Sequence, residues 1–157
     1  MIFVCAMTMA QTNAYPLLPM PQNYKVTDKS FAMGKVKLST PVLKSEWEAF
    51  IVNAGGELAD KAAAEIKVEL LPVIDGVKLN PDEAYRLSVS GKLIKIEAVT
   101  ERGVYWALQT LRQLEKKKGK KSLFAGCEIV DWPAFRIRGF MQDVGRSYIS
   151  VEELKRE

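Results

Sequence analysis

The stretch from residue 83 to residue 114 constrains the fold most, because its hydrophobic period changes from that of strands to that of a helix. Apolar and polar side chains alternate over 85–89 and again over 94–98, with the turn signal Ser90-Gly91-Lys92 between them, which predicts a β-hairpin. Thr100 can cap a helix that begins directly afterwards. That helix carries an apolar stripe of Val104, Tyr105, Ala107, Leu108, Leu111 and Leu114.

Shorter patterns on both sides of this stretch predict the remaining elements. A helix is expected from Ser45 to Ala54, where helical spacing of apolar residues ends at Gly55-Gly56. The alanine-rich residues 59–64 fit either a loop or a second short helix. Strands are expected at 24–27, 31–38, 66–70 and 127–130. These elements predict an α+β domain, with a small mixed sheet covered by two helices.

Pro133 marks a boundary between this domain, expected over residues 15–130, and a second unit over 131–157. In the second unit an apolar run starting near Arg136 leads to Asp143 and Arg146, and Ser150 can cap a helix. Strand, loop and helix in this order predict the first unit of a β/α barrel. Such a barrel needs roughly 200 residues or more, so we expect it to be truncated in this sequence of 157 residues.

The formal net charge of +4 comes from one short segment. Five lysines lie at 116, 117, 118, 120 and 121, and without them the net charge would be 4 − 5 = −1. No aromatic residue is interleaved with them. We interpret the run as a solvated loop after the preceding helix, rather than as a nucleic-acid surface, and expect no nucleic-acid partner.

The sequence contains no histidine, which excludes histidine-based triads, general bases and metal sites from these residues. Cys5 and Cys127 match no zinc or redox spacing. Cys127 is therefore interpreted as a small buried side chain. No metal and no organic cofactor is expected.

Residues 1–10 are apolar and uncharged, and they are too short to span a bilayer. Polar residues follow at once, and Thr8 and Ala10 occupy the small positions of a cleavage site, so the segment resembles a secretory signal peptide. A buried first strand is the alternative. We expect an exported protein, periplasmic or extracellular, without a stable membrane span.

Two acidic pairs invite comparison with catalytic carboxylates, but neither pattern favours catalysis. Asp82-Glu83 follows Asn80-Pro81, which predicts a solvated turn, and adjacent strand residues point to opposite faces. Glu152-Glu153 suit the first turn of a helix, where carboxylates interact well with the dipole.

Asp143 and Arg146 are the candidate substrate-binding residues, because they follow an apolar run where a β/α unit presents side chains to ligand. Arg146 offers a fork of donors suited to a carboxylate or to vicinal hydroxyls. Asp143 could orient Arg146 or accept from a hydroxyl. A structural ion pair between them is the alternative.

Two stretches together resemble the family-20 glycoside hydrolases, the β-N-acetylhexosaminidases. The first resembles the hairpin and helix of the family's small N-terminal domain, and the second resembles the entry into its catalytic barrel. The stretches are Glu83 to Val89 with Ile94 to Ala98 and Gly103-Val104-Tyr105-Trp106-Ala107-Leu108-Gln109-Thr110-Leu111-Arg112-Gln113-Leu114, and then Ile129 to Asp131, Pro133, Phe135, Arg138-Gly139-Phe140-Met141, Asp143, Arg146 and Ser150 to Leu154.

This resemblance implies an enzyme that removes terminal N-acetylglucosamine or N-acetylgalactosamine from glycans with retention of configuration. In the family the substrate's own acetamide is the nucleophile. The resemblance further implies that Arg146 hydrogen-bonds hydroxyls of the terminal sugar. The family's catalytic Asp-Glu pair lies on a later barrel strand and has no counterpart here, so no catalytic residue is assigned and the fragment is expected to be inactive.

Two other classes of protein remain open from the sequence. One is a stand-alone carbohydrate-binding or protein-interaction module, which needs no barrel. The other is a different barrel glycosidase with a similar leading domain. The encoded sequence downstream of Glu157 would discriminate among the three.

Overall fold

The protein is described by a computed structural model over residues 17–139, 141, 145 and 148–156. The predicted signal segment, residues 1–10, lies outside the described residues. The described strands are β1 (Asn23–Val26), β2 (Phe31–Ala32), β3 (Lys35–Ser39), β4 (Glu57–Leu58), β5 (Ala64–Leu70), β6 (Tyr85–Ser90), β7 (Leu93–Ala98), β8 (Glu115–Lys118), β9 (Lys121–Phe124) and β10 (Cys127–Asp131). The helices are α1 (Lys44–Asn53), α2 (Glu101–Gln113) and α3 (Val151–Leu154), with a 3₁₀ helix at Pro81–Glu83.

Seven strands form one mixed sheet in the order β1-β10-β6-β7-β5-β3-β4. The β6–β7 hairpin is antiparallel, as predicted, and places Leu87 opposite Ile96. On the other side of β7, strands β5, β3 and β4 are parallel to their neighbours. The last strand, β10, is inserted between β1 and β6 and is antiparallel to both, which places the end of the domain one strand in from the edge of the sheet.

The core lies between this sheet and helices α1 and α2, which confirms the predicted arrangement. Strand burial alternates in β6 and β7, as expected where one face is packed and the other meets solvent. Helix α1 contributes Trp47, Phe50 and Ile51. Helix α2 and its C-cap contribute the predicted stripe except for Tyr105, which is 45% exposed. Cys127 is buried in the same core, as the sequence indicated. Burial raises the pKa of the Cys127 thiol to about 12, so the thiol is neutral and unreactive at physiological pH.

The lysine run is not a loop, so its interpretation from sequence was wrong. Strands β8 and β9 form an antiparallel hairpin around Gly119, which has a φ of 63°. With β2 they make a separate three-stranded sheet. The pairing was hidden because an all-lysine segment shows no hydrophobic period. Phe124 on β9 is fully buried and supplies the apolar anchor that fixes the hairpin to the core.

Two other predicted elements differ from the structure. The strand expected over 31–38 is interrupted at Met33-Gly34, so that β2 joins the small sheet and β3 joins the large one. Residues 59–64, for which the sequence fits either a loop or a short helix, form a turn followed by the start of β5, without a helix.

The segment after β10 forms no strand over residues 132–139, so the first strand of a barrel is not seen in that part of the connector. A strand needs partners for its backbone groups, and the described residues offer none there. The segment exposes apolar side chains, with Phe135 at 73%, Ile137 at 91% and Met141 at 94%. Helix α3 begins at the predicted cap. Ser150 and Glu153 form a capping box, which accounts for the acidic pair at 152–153.

Candidate functional site

The main concave surface among the described residues is a groove of about 590 Å³ along helix α2. The lead-in to β1 forms one wall, and the connector after β10 forms the other. The amide side chain of Gln113 fixes the lead-in, because its Oε1 accepts from the Leu18 amide and its Nε2 donates to the Leu18 carbonyl, each at 2.9 Å. Leu17 is buried in the core beside it.

A hydrogen-bonded network closes the base of the groove. The Tyr85 hydroxyl lies 2.6 Å from the Thr110 hydroxyl and donates to Asp131 Oδ2 at 3.2 Å. The other oxygen of Asp131 accepts from the Gln22 amide at 3.0 Å. Burial raises the pKa of Tyr85, so its hydroxyl stays protonated. The network therefore joins β6, α2, β10 and the lead-in rather than presenting a reactive group.

Glu83 holds the connector against the domain. It ends the 3₁₀ helix, and its Oε2 accepts from Trp106 Nε1 at 2.7 Å and from Arg138 Nη2 at 2.5 Å. The Glu83 side chain is 12% exposed. The hydrogen bond from Arg138 holds the pKa of Glu83 below its ordinary value, with a further contribution from the Trp106 indole.

Arg138 completes this cluster from the connector side. Its guanidinium carbon lies 5.7 Å from the centre of the Trp106 ring, which is within cation–π range. Its Nη1 donates to the Phe135 carbonyl at 2.6 Å and so fixes the turn of the connector. Pro133, two residues after the end of β10, is held as well, since the Asn80 side chain donates to the Pro133 carbonyl at 2.7 Å. We call Glu83, Trp106 and Arg138 the connector clamp.

Among the described residues, no carboxyl group with a shifted pKa has the raised pKa that a proton donor for glycoside cleavage requires. A glycosidase general acid needs a raised pKa so that it is protonated at working pH. Here the shifts all lower the pKa, because lysine, arginine, indole, hydroxyl or backbone donors stabilise the charged form. The groups are Glu69, Glu83, Glu97, Glu115 and Glu153.

Asp143 and Arg146, the predicted substrate-binding residues, lie outside the described residues. Gly145 between them is exposed. A Cβ placed on Gly139 would meet no atom within 4 Å. Arg138 pairs with an acid, Glu83, that is 55 residues away in the sequence.

Sequence reasoning missed the part that Glu83 and Trp106 play in the clamp. Glu83 was interpreted as part of a solvated turn, yet it is nearly covered. A signal was present in helix α2, where Trp106 lies outside the apolar stripe and is 38% exposed. A large aromatic residue off the buried face of a helix indicates a further contact, here with the connector.

Two features are absent from the part of the chain that the structure describes. No group of three or more histidine, cysteine, aspartate or glutamate residues there is arranged to hold a metal ion. Among the same residues, no helix combines the length and apolar character that crossing a bilayer requires.

Comparison with known proteins places this architecture in a class. Residues 14–132 match the family model described as glycosyl hydrolase family 20, domain 2. The groove and clamp therefore lie close to the end of the matched domain. The chain belongs to glycosyl hydrolase family 20, which confirms the resemblance seen in the sequence.

Relatives with described activities agree with this assignment. The chain is 28% identical to a β-hexosaminidase of Porphyromonas gingivalis, covering 89% of this chain and 20% of that protein. It is 35% identical to a β-hexosaminidase of Vibrio furnissii, covering 62% of this chain and 15% of that protein. The chain thus spans about a fifth or less of the length of these relatives.

Solved structures show the same fold. The family-20 exo-β-N-acetylglucosaminidase of Vibrio harveyi, solved in complex with N-acetylglucosamine, superimposes with a TM-score of 0.68 at 31% identity. That alignment covers 90% of this chain and 23% of the Vibrio chain. The β-N-acetylhexosaminidase of Bacteroides fragilis gives a TM-score of 0.71 over 91% of this chain and 30% of its own, with 24% identity, and supports the fold alone.

Proposed function

We propose that this chain is the N-terminal part of an exported, retaining β-N-acetylhexosaminidase that removes terminal N-acetylglucosamine or N-acetylgalactosamine from glycans. The observation that carries the proposal is the extent of the alignment with the Porphyromonas enzyme. It covers 89% of the chain, about 140 residues, and therefore continues past residue 132, where the domain-2 match ends. The likeness thus includes the connector toward a catalytic domain.

In this proposal the chemistry belongs to residues downstream of Glu157. An Asp-Glu pair there orients the substrate acetamide and donates the proton to the leaving oxygen, and the acetamide attacks the anomeric carbon. Arg146 hydrogen-bonds hydroxyls of the terminal sugar, and Asp143 orients Arg146 or accepts from a hydroxyl. The connector clamp contributes indirectly, because it fixes the backbone a few residues before Asp143. Without the downstream pair the 157 residues are inactive.

Export belongs to the same proposal. The apolar residues 1–10 and the small residues Thr8 and Ala10 support a signal peptide, and glycans with terminal hexosamines are met outside the cytoplasm. N-terminal sequencing of the secreted protein tests this: a mature end close to Gln11 supports export, whereas an intact Met1 in a cytoplasmic fraction contradicts it.

The activity is tested on the chain extended by the residues encoded after Glu157. We expect the extension to contain the Asp-Glu pair and to hydrolyse an aryl β-N-acetylglucosaminide. Arg146→Ala should lower kcat/KM by on the order of 10- to 100-fold, because a charged hydrogen bond is worth about 1.5–3 kcal/mol. Arg136→Ala is the matched control and should leave kcat/KM unchanged. An extension without the pair, or without turnover, would refute the proposal.

A binding module is the second candidate, and one observation favours it. The groove beside α2 is lined by Trp106, Trp132 and Phe135 together with amide and carboxylate side chains, a mixture suited to sugar rings and hydroxyls. Titration of the 157-residue chain with N-acetylglucosamine oligomers tests this. Saturable binding that is lost in Trp106→Ala, together with an extended chain that shows no turnover, would favour the module over the enzyme.

A further inference from the structure

The hairpin β8–β9 separates the five lysines onto different faces. Side chains of paired residues lie on the same side of an antiparallel ribbon. Lys116 is opposite Leu123, and Lys118 is opposite Lys121, so these lysines share the outer face. Lys117 is opposite the buried Ser122 and points to the inner face. The sequence run therefore contains two kinds of lysine.

Lys117 has a structural role. Its Nζ donates to the Asn53 carbonyl at 2.9 Å and to the Ser122 hydroxyl at 3.2 Å, and it pairs with Glu115 at 2.5 Å. Asn53 is the last residue of α1, where a cation stabilises unpaired carbonyl groups and the negative end of the dipole. This contact fixes the inner face of the hairpin to the domain.

The turn of the hairpin is fixed as well. The Lys120 carbonyl lies so close to Gly55 that a Cβ on Gly55 would meet it at 2.0 Å. The Ser122 amide also donates to the Ala54 carbonyl at 3.0 Å. The hairpin thus packs against the end of α1 through its inner face and its turn, while the side chains of Lys118, Lys120 and Lys121 are exposed.

The outer face differs from the polar face of the large sheet. There the register places each charge near an opposite one, for example Lys25 opposite Glu128 and Arg86 opposite Glu97. Lys67 and Lys95 are also directly opposite, but Glu69 pairs with both, at 2.7 and 3.1 Å.

Three lysines of the hairpin are not neutralised in this way. Over the described ranges, no carboxylate pairs with Lys118, Lys120 or Lys121. Like charges directly opposite each other destabilise an antiparallel pair. An unfavourable pairing of like charges that no opposite charge neutralises is typical of a functional surface.

We propose that the outer face of the β8–β9 hairpin binds a linear anionic polysaccharide, with sulfate or carboxylate groups contacting Lys118, Lys120 and Lys121. Lys118 and Lys121 lie directly opposite each other and Lys120 lies in the turn between them, so this end of the hairpin offers three neighbouring cations to a chain with repeating charges. The face presents no aromatic ring on which nucleobases could stack, and its one large apolar side chain, Leu123, is half-buried and so is poorly placed to enter a bilayer. The proposal does not depend on the activity proposed above.

Dextran sulfate is the probe, with uncharged dextran as the blank and the 157-residue chain as the protein. We expect binding that weakens as NaCl rises, because polyanion binding releases counterions. Lys118→Glu/Lys121→Glu should weaken it by on the order of tenfold or more. Lys61→Glu/Lys78→Glu is the matched control. Both double variants change the net charge from +4 to 0, and Lys61 and Lys78 are exposed elsewhere on the domain.

Equal loss of affinity in the two double variants would overturn the proposal, since net charge alone would then explain binding. Absence of binding by the unmodified chain at 50 mM NaCl would also overturn it. Single-stranded DNA and phosphatidylserine vesicles are measured in parallel, and tighter binding to either would exclude a polysaccharide as the partner. Urea unfolding of both variants confirms that each is folded when it is measured.

Discussion

Glu83 and Arg138 form an ion pair across 55 residues of sequence, with Nη2 of the arginine 2.5 Å from Oε2 of the glutamate. Glu83 directly precedes the central hairpin, and Arg138 lies in the connector that follows the last strand of the sheet. The pair therefore determines how the chain leaves the α+β domain. Trp106 contacts both partners, so a signal from its indole can be used to follow whether the clamp is formed.

Glu83→Gln should release the connector while leaving the domain folded. The neutral amide loses the charged hydrogen bond from Arg138, worth about 1.5–3 kcal/mol. We expect amide hydrogen exchange in residues 134–139 to accelerate by on the order of tenfold. Asp82→Asn is the control, because Asp82 is more exposed and its contact with Arg102 is longer, at 3.4 Å. Equal exchange in both variants would show that Glu83 does not hold the connector.

The clamp should also open in acid. The folded-state pKa of Glu83 is lowered, so its stabilising effect is complete above the ordinary carboxyl value and is lost as pH falls through the lowered value. The Trp106 indole resonance in a ¹⁵N spectrum should therefore shift only below about pH 4. The buried indole of Trp47 serves as the reference for global unfolding. A shift of Trp106 that persists in Glu83→Gln would assign the transition to another group.

Gly103→Ala should destabilise the domain although alanine is the better helix former. A Cβ at this position would lie 2.2 Å from the Ala84 carbonyl and 3.0 Å from the Ala98 Cβ, where α2 crosses the hairpin. The helical preference gives about 1 kcal/mol, while overpacking costs typically ~1–3 kcal/mol. We expect a lower midpoint in urea. Gly34→Ala, where a Cβ meets nothing within 4 Å, should change the midpoint little.

Phe124→Ala should separate the small sheet from the core. Phe124 is fully buried, and its ring centre lies 5.6 Å from that of Phe50 and 6.4 Å from that of Phe31. Such a truncation costs about 3–5 kcal/mol, a large part of the stability of a small domain. The free energy of unfolding measured by urea titration checks this. Phe135→Ala, at a side chain 73% exposed, should change it by less than about 0.5 kcal/mol.

Elements that depend on local patterns were predictable from the sequence. The alternation in β6 and β7, the Thr100 cap and the stripe of α2 each follow from neighbouring residues, and they are confirmed apart from Tyr105, which the stripe included and which is exposed. Thr100 accepts from the Arg102 amide at 3.1 Å, as an N-cap does.

Features that depend on distant pairing were not predictable in the same way. Strand β8 exists because β9 pairs with it and Phe124 anchors β9, and neither fact is visible in a run of lysines. The insertion of β10 between β1 and β6 likewise reflects long-range order. Glu83 acquires its role only when folding brings Arg138 to it. Asp143 and Arg146 stay predictions, because both lie outside the described residues.

The most direct measurement is the rate at which the purified 157-residue chain hydrolyses an aryl β-N-acetylglucosaminide, with the Vibrio harveyi enzyme assayed alongside. In the proposed function the proton donor and the acetamide-orienting residue lie downstream of Glu157. We therefore expect a rate equal to that of buffer alone. Turnover comparable to that of the Vibrio enzyme would contradict it, since the catalytic groups would then lie within these residues.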